Sequence, residues 1–356
     1  MPDKIMFIGD LHFGNKNNSE VFCQQLVDFI GWAKDYAEQN GVRTIVQGGD
    51  WFHTRTSLNI LTLNYSNQAV DILSNGNFRT LVLVGNHDIY YHDRRDVHSL
   101  NKTLRPLEVI EHPTMVTLDS GHQLVICPWV TEPDDWERVL NMASKARVLF
   151  GHFELDSFKM TGTAECRSEY KPSHLKKYGL VVSGHFHSYQ KKGNIVYPGT
   201  PVPNNMGEAN EDHGILLIDP DTLETEFVPY TRTRAVIVRY EELETRLPDI
   251  MKETPPEGIC LRVEYPDTLD DPSVIEECSE ALVDMGFQEV SHQYQPRTMT
   301  EILEEASEFE LEEVDNIDAL IQCLLESEDF DMGDDRISKK VLLELYKQAV
   351  QRGENG

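Results

Sequence analysis

The 356-residue sequence is short of basic side chains: 32 Lys and Arg stand against 61 Asp and Glu, a net charge of −29. A chain this acidic is repelled by nucleic acid unless something reverses the sign locally. Paired cysteines are missing too. Cys23, Cys127, Cys166, Cys260, Cys278 and Cys323 are scattered with no shared spacing, which excludes a disulfide scaffold or zinc ribbon and suits a reducing cytosol. No apolar run approaches the roughly 18 residues of a membrane span. No signal peptide is expected, because the chain enters a strand-like run almost at its first residue. There is no internal repeat. What is present suffices for a folded protein: 40% hydrophobic residues, and a length that suggests roughly two domains.

The acidity is uneven. Residues 298–335 hold 15 acidic side chains and no Lys or Arg, whereas 336–356 hold five basic and two acidic ones. Of the total charge of −29, that segment carries −12 and residues 1–297 carry −17.

Short apolar runs alternate with helical patterns. Ile5–Gly9, Thr44–Gly48 and Thr80–Val84 read as buried strands. Between them Phe22, Leu26, Phe29, Ile30, Ala33 and Ala37 repeat at helical spacing, closed by Asn40-Gly41. Leu58, Leu61, Tyr65, Ala69 and Leu73 predict a second helix. This is βαβ order and a largely parallel sheet. Further strands are expected at 124–127, 147–150, 180–183, 195–197 and 214–218. Three regions follow: a main α/β domain over 1–231, a small α/β domain over 235–295, and an acidic helical tail over 298–353. The tail has apolar stripes at Met299–Phe309, Ile317–Leu325 and Ile337–Ala349, more apolar surface than about 50 residues can bury alone. They predict docking, on the small domain or on a partner.

Five motifs close five strands: Gly9-Asp10-Leu11-His12, Gly48-Gly49-Asp50-Trp51-Phe52-His53, Gly85-Asn86-His87-Asp88, Gly151-His152 and Gly184-His185-Phe186-His187. In open α/β sheets the ligand site lies beyond the carboxyl ends of strands, so these residues can converge on one rim. Asp and Asn oxygens mixed with imidazole, and no Cys, suit Mn²⁺, Fe or Zn²⁺. Asp10, His12, Asp50, Asn86, His152, His185 and His187 are too many ligands for one ion and enough for two that share a bridge. Two such ions would stabilise the attacking and leaving oxygens of a phosphoryl displacement and acidify the attacking water.

The ordered set resembles the calcineurin-like metallophosphoesterase superfamily, and within it the SbcD-type double-strand-break repair nucleases, including the smaller subunits of phage recombination endonucleases. The resemblance implies a four-layer α/β sandwich of two mixed sheets flanked by helices, with a small capping domain and a helical tail. It implies one metal on Asp10, His12 and His187, a second on Asn86, His152 and His185, and Asp50 bridging them. Mn²⁺ is the favoured ion, with Mg²⁺, Fe or Zn²⁺ as alternatives. His87 would be the acid, oriented by Asp88, and His53 would lie near the scissile phosphate. His53-Thr54 stands where protein phosphatases of the superfamily carry Asp-Arg, which counts against phosphoprotein substrates. The implied partners are DNA, an SbcC-like coiled-coil ATPase docked on the tail, and a second copy of the chain through Leu58–Leu73. The implied location is the cytoplasm, the host's if the chain is phage-encoded.

Arg94, Arg95, Lys191 and Lys192 are candidates to line the DNA path and answer the adverse charge. The competing readings are a small-molecule or cyclic-nucleotide phosphodiesterase on the same site, and a scaffold that has lost catalysis. Roughly 125 residues beyond the main domain favour the nuclease.

Overall fold

The computed structural model describes residues 4–160, 165–266, 269 and 272–294. The tail expected over 298–353 lies outside them. The first sheet begins with β1 (Lys4–Ile8), β2 (Val42–Gln47), β3 (Arg79–Leu83) and β4 (Glu108–Ile110), all parallel. The second sheet contains β5 (Thr114–Thr117), β6 (Gln123–Cys127), β7 (Val148–His152), β8 (Leu180–Gly184), β9 (Gln190–Lys192) and β10 (Ile195–Tyr197). The chain then returns to the first sheet with β11 (Gly214–Ile218) and β12 (Thr225–Pro229), which add antiparallel beside β1. The sheet orders are β12-β11-β1-β2-β3-β4 and β5-β6-β7-β8-β10-β9, both mixed.

Period-two alternation splits each buried strand between two cores. Ile5 and Phe7 of β1 face the second sheet, meeting Phe150 of β7 with ring centroids 5.7 Å apart. Met6 and Ile8 face the helices Glu20–Gln39 and Ile60–Ser74. On the far side of the second sheet, Val125, Leu149 and Val181 pack with Val139 of the helix Pro133–Met142. The result is four layers: helices, sheet, sheet, helix.

The first helix is set by local chemistry. Ser19 caps it by accepting from the Phe22 N–H, and Gly41 leaves it at φ 72°. The second is capped by Asn59, which accepts from the Leu61 N–H at 2.8 Å. Ala69 and Leu73 are buried, but Ile60 is 85% exposed. Most of the Leu58–Leu73 stripe is therefore core, and only its amino end is free surface.

Thr231–Thr233 leads into a third, wholly parallel sheet of β13 (Arg234–Arg239), β14 (Ile259–Tyr265) and β15 (Glu289–Tyr294). Helices Leu243–Glu253 and Pro272–Asp284 complete it, with a core of its own around Val238, Leu261, Val263 and Leu282. Lys16 reaches it through an ion pair to Glu289 at 2.6 Å. Among the described residues no helix is long and apolar enough to cross a membrane.

Candidate metal centre

β1, β2 and β3 are neighbours and parallel, so Asp10–His12, Asp50 and Asn86–Asp88 leave the sheet at one edge. β7 and β8, also parallel neighbours, deliver His152 and His185–His187 from the second sheet. Hydrogen bonds join the two sets. His152 Nδ1–H donates to the Gly48 carbonyl at 2.7 Å, and the His185 N–H donates to Asp10 at 3.0 Å. The loops after β1 and β2 pair with each other: His12 N–H donates to the Asp50 carbonyl and His53 N–H to the Phe13 carbonyl.

Getting side chains this close demands unusual backbone. His12 (φ 53°), Asp50 (φ 51°) and His185 (φ 92°) occupy the left-handed region, at about 1–3 kcal/mol each. Two glycines make room. A Cβ on Gly85 would lie 2.2 Å from Asp50 Oδ1, and one on Gly184 would lie 2.5 Å from Asp10 Oδ1. A side chain at either position would push a carboxylate out of place.

Three overlapping donor clusters result, two of them with carboxylates and one, His12, His53 and His87, of imidazoles alone. One atom each from Asp10, His12 and His187 lie within 4.8 Å of one another, and so do Asp10, Asp50 and His152. Asp50 Oδ2 is 3.8 Å from His12 Nε2 and 3.5 Å from His152 Nε2, so this carboxylate reaches both halves. Asn86 Oδ1 is 2.8 Å from His152 Nε2 and 3.0 Å from His185 Nδ1.

The donors fit a cation. His152 spends its one ring proton on the Gly48 carbonyl, so Nε2 carries a lone pair, yet it faces the oxygens of Asn86 and Asp50. His187 spends its proton on Glu208 at 3.0 Å, and its Nε2 lies 3.2 Å from His12 Nε2. Around His152 Nε2 lone pairs converge on lone pairs, an arrangement a metal ion satisfies. Burial, and then the Asp50 charge, hold the Asp10 carboxyl well above the usual carboxylate range. Burial and neighbouring imidazoles push His12 well below the usual imidazole range, and His185 down to about 3. Among the described residues no Lys or Arg pairs with Asp10 or Asp50. A divalent ion would relieve both crowded carboxylates and neutral imidazoles.

His87 stands beside this set. Its Nδ1–H donates to the His53 carbonyl at 2.7 Å, its backbone N–H donates to Asp50 Oδ1, and its ring stacks on His53 at 5.6 Å. The expected orientation of His87 by Asp88 is corrected here. Asp88 is 1% exposed, and its oxygens accept from the N–H groups of Gly85, Trp51 and Phe52. It ties the second and third rim loops together, and the His53 carbonyl orients His87.

Three of the four basic candidates also move. Arg95 is buried, paired with Asp135 at 2.6 Å and bonded to the carbonyls of Glu111 and Trp129. It is a structural cross-link and cannot reach DNA. Lys191 and Lys192 lie on β9, which runs antiparallel to β10 and so travels away from the rim. Lys191 is level with Val182 of β8, three residues back from His185, and donates to Thr225. Arg94 alone remains exposed on a rim loop.

Two supporting residues carried no sequence signal. Glu208 is 21 positions from His187 in a short 3₁₀ helix, Met206–Glu208, is buried, and also accepts from the Asn204 N–H at 2.8 Å. Trp129 lies 5.1 Å from the His185 ring and 5.9 Å from that of His152.

Residues 3–189 match the calcineurin-like phosphoesterase family. The chain belongs to that family. It is a hydrolase of phosphoester bonds. It is 31% identical over 234 residues to exonuclease subunit 1 of enterobacteria phage T4, covering 65% of this chain and 68% of that one. It is 28% identical over 277 residues to a putative phosphoesterase of invertebrate iridescent virus 6, covering 72% and 93%. Among solved structures, a dimetal phosphatase from Danio rerio superposes with a TM-score of 0.41 at 12% identity, covering 61% and 92%.

Proposed function

We propose that this phosphoesterase is a two-metal DNA nuclease, the catalytic subunit of a double-strand-break processing and recombination complex. The observation that carries the reading is the convergence of the two carboxylate-bearing donor clusters beside His87, which is outside both. The likeness to a phage exonuclease subunit supports DNA as substrate and a partner chain. Asp10, His12 and His187 would hold one ion, Asn86, His152 and His185 the other, with Asp50 shared and Mn²⁺ the expected metal. The ions would stabilise the charge of the phosphoryl transition state and lower the pKa of the attacking water.

The chain's own residues do the rest. His53 holds the His87 ring by its carbonyl, leaving Nε2 to protonate the departing oxygen. Glu208 holds His187, and the Gly48 carbonyl holds His152, each fixing the tautomer that presents Nε2. Residues 235–295 serve as a capping domain, and the acidic segment 298–353 docks an SbcC-like coiled-coil ATPase. The exposed Ile60 end of the second helix is the surface for a homodimer.

Incubation with linear duplex DNA and, separately, with bis-p-nitrophenyl phosphate, each with Mn²⁺, tests the reading. Hydrolysis of both supports a nuclease. Hydrolysis of the small ester and of cyclic nucleotides without attack on DNA assigns the site to a small-molecule phosphodiesterase.

A further inference from the structure

The loop that leaves His87 and Asp88 has a rigid foot and an aromatic tip. Ile89 and His98 form an antiparallel bridge, and the Tyr90 N–H donates to the Val97 carbonyl at 3.0 Å, closing residues 89–98. Arg95 pins the foot through its buried pair with Asp135. At the tip Tyr90 is 48% and Tyr91 38% exposed, their rings 4.9 Å apart and nearly perpendicular. The Arg94 guanidinium lies 3.8 Å over the Tyr91 ring. Arg55, two residues after His53, reaches His92 Nδ1 at 2.7 Å and ties the tip to the second rim loop.

Charge does not explain this tip. Arg55 and Arg94 are matched by Asp93 and Asp96, and Asp96 takes Arg94 at 3.2 Å. On a chain of net charge −29 such a balanced loop is a poor phosphate trap. Aromatic faces need no charge to bind nucleic acid, because every base offers a face to stack on. A paired base inside a duplex has both faces covered, so the partner must be unpaired. Tyr90 is three residues from His87, at most about 11 Å of chain, which places the platform beside the scissile phosphate.

We propose that Tyr90 and Tyr91, braced by Arg94 and Arg55, form a stacking platform for an unpaired nucleobase next to the phosphodiester being cut. The proposal rests on the nuclease reading of the site and makes single-stranded or frayed ends its preferred substrate.

The test uses the full chain with EDTA present, and measures affinity for a single-stranded oligonucleotide, its abasic counterpart and a blunt duplex. The wild type should favour the base-bearing single strand. Tyr90→Ala/Tyr91→Ala should bind it about tenfold or more weakly, and should lose the discrimination against the abasic strand. Tyr90→Phe/Tyr91→Phe should keep both. The slope of log affinity against log salt should be the same in the Ala variant and in Arg94→Gln, because the platform binds by stacking and not by phosphate neutralisation. With Mn²⁺, the Ala variant should lose at least tenfold more kcat/KM on the oligonucleotide than on bis-p-nitrophenyl phosphate. An Ala variant that still discriminates base-bearing from abasic strands overturns the platform and leaves the nuclease reading standing. A wild type that binds none of the three ligands and, with Mn²⁺, leaves DNA uncut overturns both.

Discussion

The two halves of the candidate metal centre are built to different tolerances. The half around His152, Asn86 and His185 is the more closely cross-linked, although His185, like His187, is only half-buried. His152 is 0% exposed and pinned to the Gly48 carbonyl, Asn86 lies within 3.0 Å of two imidazoles, and Trp129 covers the rings. The half around Asp10, His12 and His187 is looser. His187 is 30% exposed, its ring is held by a single carboxylate, and buried His12 Nδ1 has no hydrogen-bond partner. A closely cross-linked site exchanges its ion slowly, and a looser one admits substrate. On the proposed two-metal reading, the difference assigns substrate entry to the His187 side and the tighter hold on an ion to the His152 side.

The largest break should come at the residue the halves share. Asp50→Asn should remove hydrolytic activity and reduce bound manganese below two per chain by elemental analysis. Two tightly held ions in that variant would show that the halves are bridged by something else, such as Asp10, which belongs to both carboxylate-bearing donor clusters.

The next effect separates chemistry from metal binding. His87→Gln should slow DNA cleavage by about 10²–10⁴-fold, the usual worth of a general acid, with both ions still bound. Loss of an ion in this variant would bring His87 into the ligand set with His12 and His53, to which it is close enough.

The smallest effect sharpens the contrast between the halves. Glu208→Gln keeps the shape of the support for His187 but removes its charge, and loss of such a supporting partner costs about 10–100-fold in metal affinity. Manganese titration should show one site weakened by that factor and the other unmoved. Equal weakening of both would mean that the halves are one rigid unit.

Much of this could be read from the chain. The motifs were legible because each follows a strand buried over at least its last four residues, and a parallel sheet carries such ends to one edge whatever its loops do. The strands that went unread, Glu108–Ile110, Thr114–Thr117, Gln190–Lys192 and Thr225–Pro229, are short, lie at sheet edges or beside them, and are only partly buried. Half-exposed strands tolerate polar residues, so they lack the apolar run that marks a buried one.

By itself, then, the sequence determined which donors stand at the rim: Asp10, His12, Asp50, Asn86, His152, His185 and His187 sit where strand geometry delivers them. Tertiary structure alone decided what the other charged groups do. Arg94 and Arg95 are adjacent in sequence, yet one lies over an exposed tyrosine and the other is buried against Asp135. Asp88 went to backbone amides, Glu208 came 21 residues along the chain to hold His187, and Lys191 and Lys192 were carried away from the rim by β9. The physical reason is reach. A ligand at a strand end is placed by its own element, whereas the partner of a charged loop residue is whichever group packing brings within about 3 Å, and local sequence does not encode that distance.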